Sequence, residues 1–212
     1  MQRSTAKLYR IFNVIYFIFC ALMTVVYAAR RDIYHFAISA GTLVVPFALS
    51  LTYRLLHFKR SSGLDLLIMG FVTLAYPLGS CLDLYRRIPG FDKFAHGLSG
   101  VFVTILCIIL FIFLKPDRKL TAADIPLAIA FSFFGSMAVA GMWEAGEYIL
   151  SQLVRIDLQR VVSTGVADSM NDILICMVGT LAALPIVPAL ARGRNGMLTD
   201  SIREFVMLNT KN

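Results

Sequence analysis

Six runs free of Asp, Glu, Lys and Arg recur along the chain: Ile11–Ala29, Ile33–Tyr53, Leu66–Leu82, Phe94–Leu114, Ile125–Trp143 and Ile173–Ala191. Each is 17 to 21 residues long. A helix rises about 1.5 Å per residue, so roughly 20 apolar residues cross the hydrocarbon core of a bilayer. The pattern predicts an all-α, polytopic membrane protein: one bundle of six transmembrane helices forming a single domain over residues 1–212. With their flanks, the expected spans are 9–29, 33–56, 64–84, 93–114, 125–150 and 169–191. After Gly196, Ile202, Phe205 and Val206 share one helical face behind a Thr199 or Ser201 cap, which predicts an interfacial helix over 199–208.

Turn signals separate these runs. Ser61-Ser62-Gly63 precedes the third, Ile88-Pro89-Gly90 precedes the fourth, and Lys115-Pro116-Asp117 ends it. Pro126 sits in the first turn of span five, where its missing N–H is harmless, whereas Pro46 and Pro77 fall inside spans two and three and predict kinks. Ser132, Ser136 and Ala140 recur at spacing four in span five. Small residues on one face let helices approach closely, so span five is expected to lie centrally, between spans four and six.

Composition narrows the class. The chain is 58% hydrophobic and 16% charged, with a mean hydropathy of +0.74, outside the range of soluble domains. Six helices leave no room for a separate soluble domain. The net charge of +7 is spread over loops and lacks the Arg-rich, aromatic-interleaved patch of a nucleic-acid binder. Its distribution is informative instead. The N-terminus, the loops after spans two and four, and the C-terminal tail hold 13 Lys and Arg, against 7 in the opposite loops. Lys and Arg favour the cytoplasm, so both termini are expected there. The first apolar run exceeds the roughly 7–15 residues of a signal-peptide core and reads as a retained span. Cys20, Cys81, Cys107 and Cys176 fall within or beside spans and form no CxxC pair, so they read as packing residues.

This orientation gathers the polar motifs at one face. Asp92-Lys93-Phe94-Ala95-His96 opens span four, Trp143-Glu144-Ala145-Gly146-Glu147-Tyr148 closes span five, and Asp168-Ser169-Met170-Asn171-Asp172 opens span six. Asp92 and His96 are four apart, Glu144 and Glu147 three apart, and Asp168 and Asp172 four apart, so each pair shares a helix face. Asp92 and Asp168 also suit helix starts, where the dipole favours an acid, and Trp143 and Tyr148 suit an interfacial belt. Glu147 and His96 lie within apolar surroundings, and ionisable residues there are functional candidates by default. The candidate site is Asp92, His96, Glu144, Glu147, Asp168, Asn171 and Asp172. Such a cluster needs protonation, a basic partner or a cation, and Lys93 is the only Lys or Arg inside the motifs. A divalent metal (Mn²⁺, Fe²⁺ or Zn²⁺) held by His96, Glu144, Glu147 and Asp172 suits one imidazole among carboxylates.

The three motifs, in order over residues 90 to 185, resemble the YjdF-like family of bacterial inner-membrane proteins. They are more distantly similar to VanZ-like proteins, associated with resistance to glycopeptide antibiotics. The resemblance implies a bacterial plasma membrane location and carries Asp92, His96, Glu144, Glu147, Asp168 and Asp172 over as the family's polar positions. It departs at Cys176, where related sequences tend to carry Asn. Three readings of function stand. The first is a binding protein for a divalent cation, a lipid head group or a cell-envelope compound. The second is an intramembrane metal-dependent hydrolase, although no H-E-x-x-H or G-x-S-x-G motif is present. The third is a proton- or ion-coupled transporter, against which stands the concentration of polar residues at one rim.

The charge balance predicts that the Ile88–Phe91 loop is extracytoplasmic. A membrane-impermeant maleimide should label Ile88→Cys in intact cells. Labelling only after permeabilisation would reverse the orientation.

Overall fold

Each apolar run is the core of a longer helix, because a backbone without water must satisfy its own N–H and C=O groups. The computed structural model describes residues 2–155 and 165–210. Arg160 and Lys211, counted in the charge balance above, lie outside the described residues. The helices are α1 (Gln2–Ala29), α2 (Ile33–Leu55), α3 (Ser62–Thr73), α4 (Leu84–Arg87), α5 (Phe91–Leu114), α6 (Ile125–Val154), α7 (Ala167–Ala183), α8 (Ile186–Ala191) and α9 (Met197–Thr210). Among the described residues, six helical stretches are long and apolar enough to cross a membrane: Ser4–Ala29, Ile33–Leu55, Ser62–Cys81, Phe91–Leu114, Ala122–Leu153 and Ala167–Ala191. The protein is an all-α, polytopic membrane protein.

Local departures from the expected spans have local causes. The third span does not simply kink at Pro77. It widens into π-helical turns over Leu74–Cys81, which accommodate a residue that cannot donate to the ladder. The sixth span breaks between α7 and α8 at Pro185. Asp32 caps α2 by accepting the His35 N–H. Thr199 is no cap, since α9 begins at Met197 and the Thr199 hydroxyl donates to the Gly196 carbonyl.

The chain forms two compact units, Met1–Asp92 with Asp200–Asn212, and Lys93–Thr199. In the first unit, Tyr16, Cys20 and Met69 form a buried cluster, and the Tyr16 hydroxyl reaches the Thr42 carbonyl at 2.7 Å. At one end Arg60 donates to Asp65 at 2.9 Å, to Ser50 at 2.8 Å and to Tyr9 at 2.6 Å. Its guanidinium also lies over the Tyr9 and Tyr53 rings, and Tyr53 donates to Asp65 at 2.7 Å. An Asp that is 1% exposed is thus fully satisfied. Helix α9 docks here. Phe205 packs edge-on against Tyr53 and Phe58, and the Asn209 amide both accepts from and donates to the Lys59 backbone. Ile202 and Phe205 are therefore covered by protein rather than turned to lipid.

The second unit packs α5, α6 and α7. The expected small-residue face of span five is buried at Ser132, Ser136 and Ala140. It does not separate its neighbours, because α5 and α7 touch directly. A Cβ on Gly179 would stand 1.9 Å from the Gly97 carbonyl oxygen, and one on Gly100 would stand 2.1 Å from the Cys176 carbonyl oxygen. Span five joins this pair from the side: Ser136 lies 2.8 Å from the Thr180 hydroxyl and donates to the Gly100 carbonyl.

Gly179→Ala should therefore destabilise the protein by at least the roughly 1–3 kcal/mol of an overpacked core, because the obstacle is backbone. Gly141 has nothing within 4 Å of the position its Cβ would take. Gly141→Ala should be neutral or stabilising by up to about 1 kcal/mol. Thermal unfolding of both variants in detergent checks the opposite signs.

Candidate functional site

The chemistry of the second unit collects at the end where α5 and α7 begin. With Gly97, Gly100 and Gly179 setting the approach of these helices, the side chains one turn earlier on each must meet. In α5, Lys93 and His96 are three apart and face α7. In α7, Ser169, Asp172, Cys176, Gly179 and Thr180 form the buried stripe, at spacings of three and four. The Lys93 ammonium donates to Asp168 at 2.7 Å and to Asp172 at 2.7 Å. The His96 Nε2 lies 3.7 Å from the same Asp172 oxygen. Asp172 is 5% exposed, so a lysine and an imidazole converge on one nearly dry carboxylate.

Asp92 lies at the boundary of the two units, but α5 carries it continuously with Lys93 and His96. Asp92, His96 and Asp172 each offer one ligand atom, and these atoms lie within 4.8 Å of one another. Among the described residues this is the convergent group of potential metal ligands. Glu144 is buried near the end of α6, and its carboxylate, like that of Asp172, bears electrostatically on the Cys176 thiol. Glu147 is half-buried and accepts the Trp143 indole N–H at 2.8 Å, so Trp143 does more than anchor an interface. Glu144 and Glu147, expected as metal ligands, fall outside the convergent trio. Asn171 is exposed, turned about 100° along the helix from Asp172.

Asp168 is not merely a cap. It stands in the first turn of α7, makes no capping hydrogen bond to that helix, and instead holds Lys93. Two polar groups went unassigned in the motif reading. Ser99 donates to the His96 carbonyl at 2.7 Å and lies 3.0 Å from the Cys176 sulfur. Ser169 is 6% exposed, and among the described residues its hydroxyl has no hydrogen-bond partner. The signal for both was spacing: Ser99 is three residues after His96, and Ser169 three before Asp172. Cys176, where the resemblance expected Asn, is the thiol that meets Ser99. Polar contacts continue inward as Thr180 donates to the Cys176 carbonyl and meets Ser136.

A family model described as "Predicted membrane protein (DUF2238)" matches residues 11–192. No curated protein and no solved structure matches the chain.

Lys93 holds two carboxylates together, so Lys93→Met should strand them. Removing one partner of a buried ion pair costs about 3–5 kcal/mol, and the low end applies because the Lys93 side chain is 31% exposed. The triple variant Lys93→Met, Asp168→Asn, Asp172→Asn should recover part of that loss. Thermal melts of the two proteins measure it, and equal melts would remove Lys93 as the counter-charge.

Proposed function

The chain belongs to the DUF2238 family of predicted membrane proteins, and from that premise we propose that the first turns of α5 and α7 carry a divalent-cation site at the extracytoplasmic face of a bacterial plasma membrane. The observation that carries the reading is the convergence of Asp92, His96 and Asp172, whose ligand atoms lie within 4.8 Å of one another. Two carboxylates and one imidazole suit Mn²⁺, Fe²⁺ or Zn²⁺. The unpartnered Ser169 hydroxyl, on the same buried stripe as Asp172, supports a ligand or its water at this end.

Charge favours the same reading. Asp168 and Asp172 share Lys93, and Asp172 also lies 3.7 Å from the His96 Nε2. A divalent cation suits carboxylates gathered where little water reaches them. Glu144, buried beside Cys176, adds a further negative charge from α6. The 13-to-7 basic bias puts both termini in the cytoplasm and this end outside. The resemblance to YjdF-like and VanZ-like proteins favours a cell-envelope compound as what the cation helps to hold.

Elemental mass spectrometry of the purified protein should find one equivalent of a divalent metal. Asp172→Asn and His96→Ala should each lose it, with at least a tenfold drop in occupancy, while Glu147→Gln keeps it. Absence of stoichiometric metal in the wild type, with thermal stability unchanged on adding Mn²⁺ or Zn²⁺, would leave a hydrogen-bonded network as the better account.

A further inference from the structure

Between α5 and α7, on the outer surface of the second unit, runs an open groove of about 340 Å³. Lys93 stands at one end, and the rest of the lining is apolar, from Phe94 through Val101 on α5 and from Ile175 through Ala182 on α7. The groove exists because the helices touch at glycines. Gly97 and Gly179 line it and contribute no side chain, while Phe94 and Val178, 58% and 59% exposed, stand up along its edges. From Lys93 to Val101 it runs about 12 Å along the helix. That is close to one leaflet of a hydrocarbon core roughly 30 Å thick.

We propose that this groove is a specific site for one phospholipid with a zwitterionic, amine-bearing head group: an acyl chain lies between α5 and α7, the phosphate meets Lys93, and the head-group ammonium meets Asp168. The argument is complementarity along one line. The wall is apolar over the depth an acyl chain occupies, and charge begins only at Lys93. There the groups have both signs in reach: an ammonium on a side chain 31% exposed, and an Asp168 side chain 14% exposed at 2.7 Å from it. Opposite charges side by side at Lys93 and Asp168 match a head group whose phosphate and ammonium are likewise adjacent, whereas a purely anionic head group would set its charge beside Asp168 with no cation of its own. Lipid that merely coats the protein needs neither the groove nor the ion pair at its end. The groove lies beside the Asp92–His96–Asp172 trio and none of the three lines it, although Lys93 at its end also donates to Asp172.

The test uses the full-length protein reconstituted in vesicles of equal parts phosphatidylethanolamine and phosphatidylglycerol. After extraction into mild detergent, native mass spectrometry counts the lipids retained. Wild type should keep one phosphatidylethanolamine per chain. Ala182→Phe fills the groove from an exposed position and should reduce retention at least tenfold, whereas Leu181→Phe, 50% exposed outside the lining, should retain it as wild type does. Lys93→Met should abolish the preference over phosphatidylglycerol. Equal retention by wild type and Ala182→Phe, or equal retention of the two lipids by wild type, would overturn the proposal. A photoactivatable acyl chain on phosphatidylethanolamine gives a variant-free readout in wild type. Adducts should concentrate at Phe94, Val101 and Val178, and an even spread over exposed Leu106, Leu110, Leu174 and Leu181 would overturn it. Metal content is measured in the same samples. Loss of lipid from Ala182→Phe with metal unchanged separates this site from the cation site, and each can fail alone.

Discussion

The second unit depends on one steric constraint: α5 and α7 approach until backbone meets backbone at Gly97, Gly100 and Gly179. In hydrocarbon there is no hydrophobic gain from pressing two apolar helices together, so close packing and the hydrogen bonds it permits must hold them. The bonds are present. Ser136 reaches the Gly100 carbonyl, Thr180 meets Ser136, and Ser99 meets Cys176. One turn beyond the contact, the same approach brings Lys93 and His96 within reach of Asp172. The polar end and the apolar groove are two consequences of one glycine contact.

Electrostatics then sets the character of that end. A carboxylate taken out of water must be neutralised, and Lys93 is placed to serve Asp168 and Asp172 at once. The first unit solves the same problem differently. There Arg60 offers a fork of donors to Asp65, Ser50 and Tyr9, and two tyrosine rings pack against its guanidinium. Every group in that cluster has a partner, and it reads as a structural clamp between the ends of α2 and α3 that also receives α9. Where α5 and α7 begin, Asp92, His96 and Asp172 instead bring three potential ligand atoms within 4.8 Å of one another, and among the described residues the buried Ser169 hydroxyl has no hydrogen-bond partner. That contrast directs the functional reading to one end and not the other.

How much was legible beforehand varies with the range of the physics involved. The absence of charge over about 20 residues is a one-dimensional property, so the six spans and the all-α class could be read directly. So could the pairing of Asp92 with His96, and of Asp168 with Asp172, because helical spacing places each pair on one face. The same logic located the α9 helix and the small-residue face of α6. It could not say that Asn171 would turn outward, because a face is defined only once the neighbouring helix is in place.

The tertiary structure decided everything that depends on which helices touch. Span five was expected between spans four and six, yet α5 and α7 meet directly, since glycines permit an approach that serines and alanines do not. Lys93 is the only Lys or Arg inside the three motifs, and it bridges two carboxylates because both lie on the face of α7 that the glycine contact presents. Glu144 and Glu147 shared a helix face in the sequence, yet one is buried near Cys176 and the other is held by Trp143. Ile202 and Phe205 promised an apolar face for a membrane interface, yet both are buried in protein, Phe205 against Tyr53 and Phe58 across 147 or more residues of chain. Charge and periodicity act within a helix and are written along it, whereas partners are chosen by shape across space.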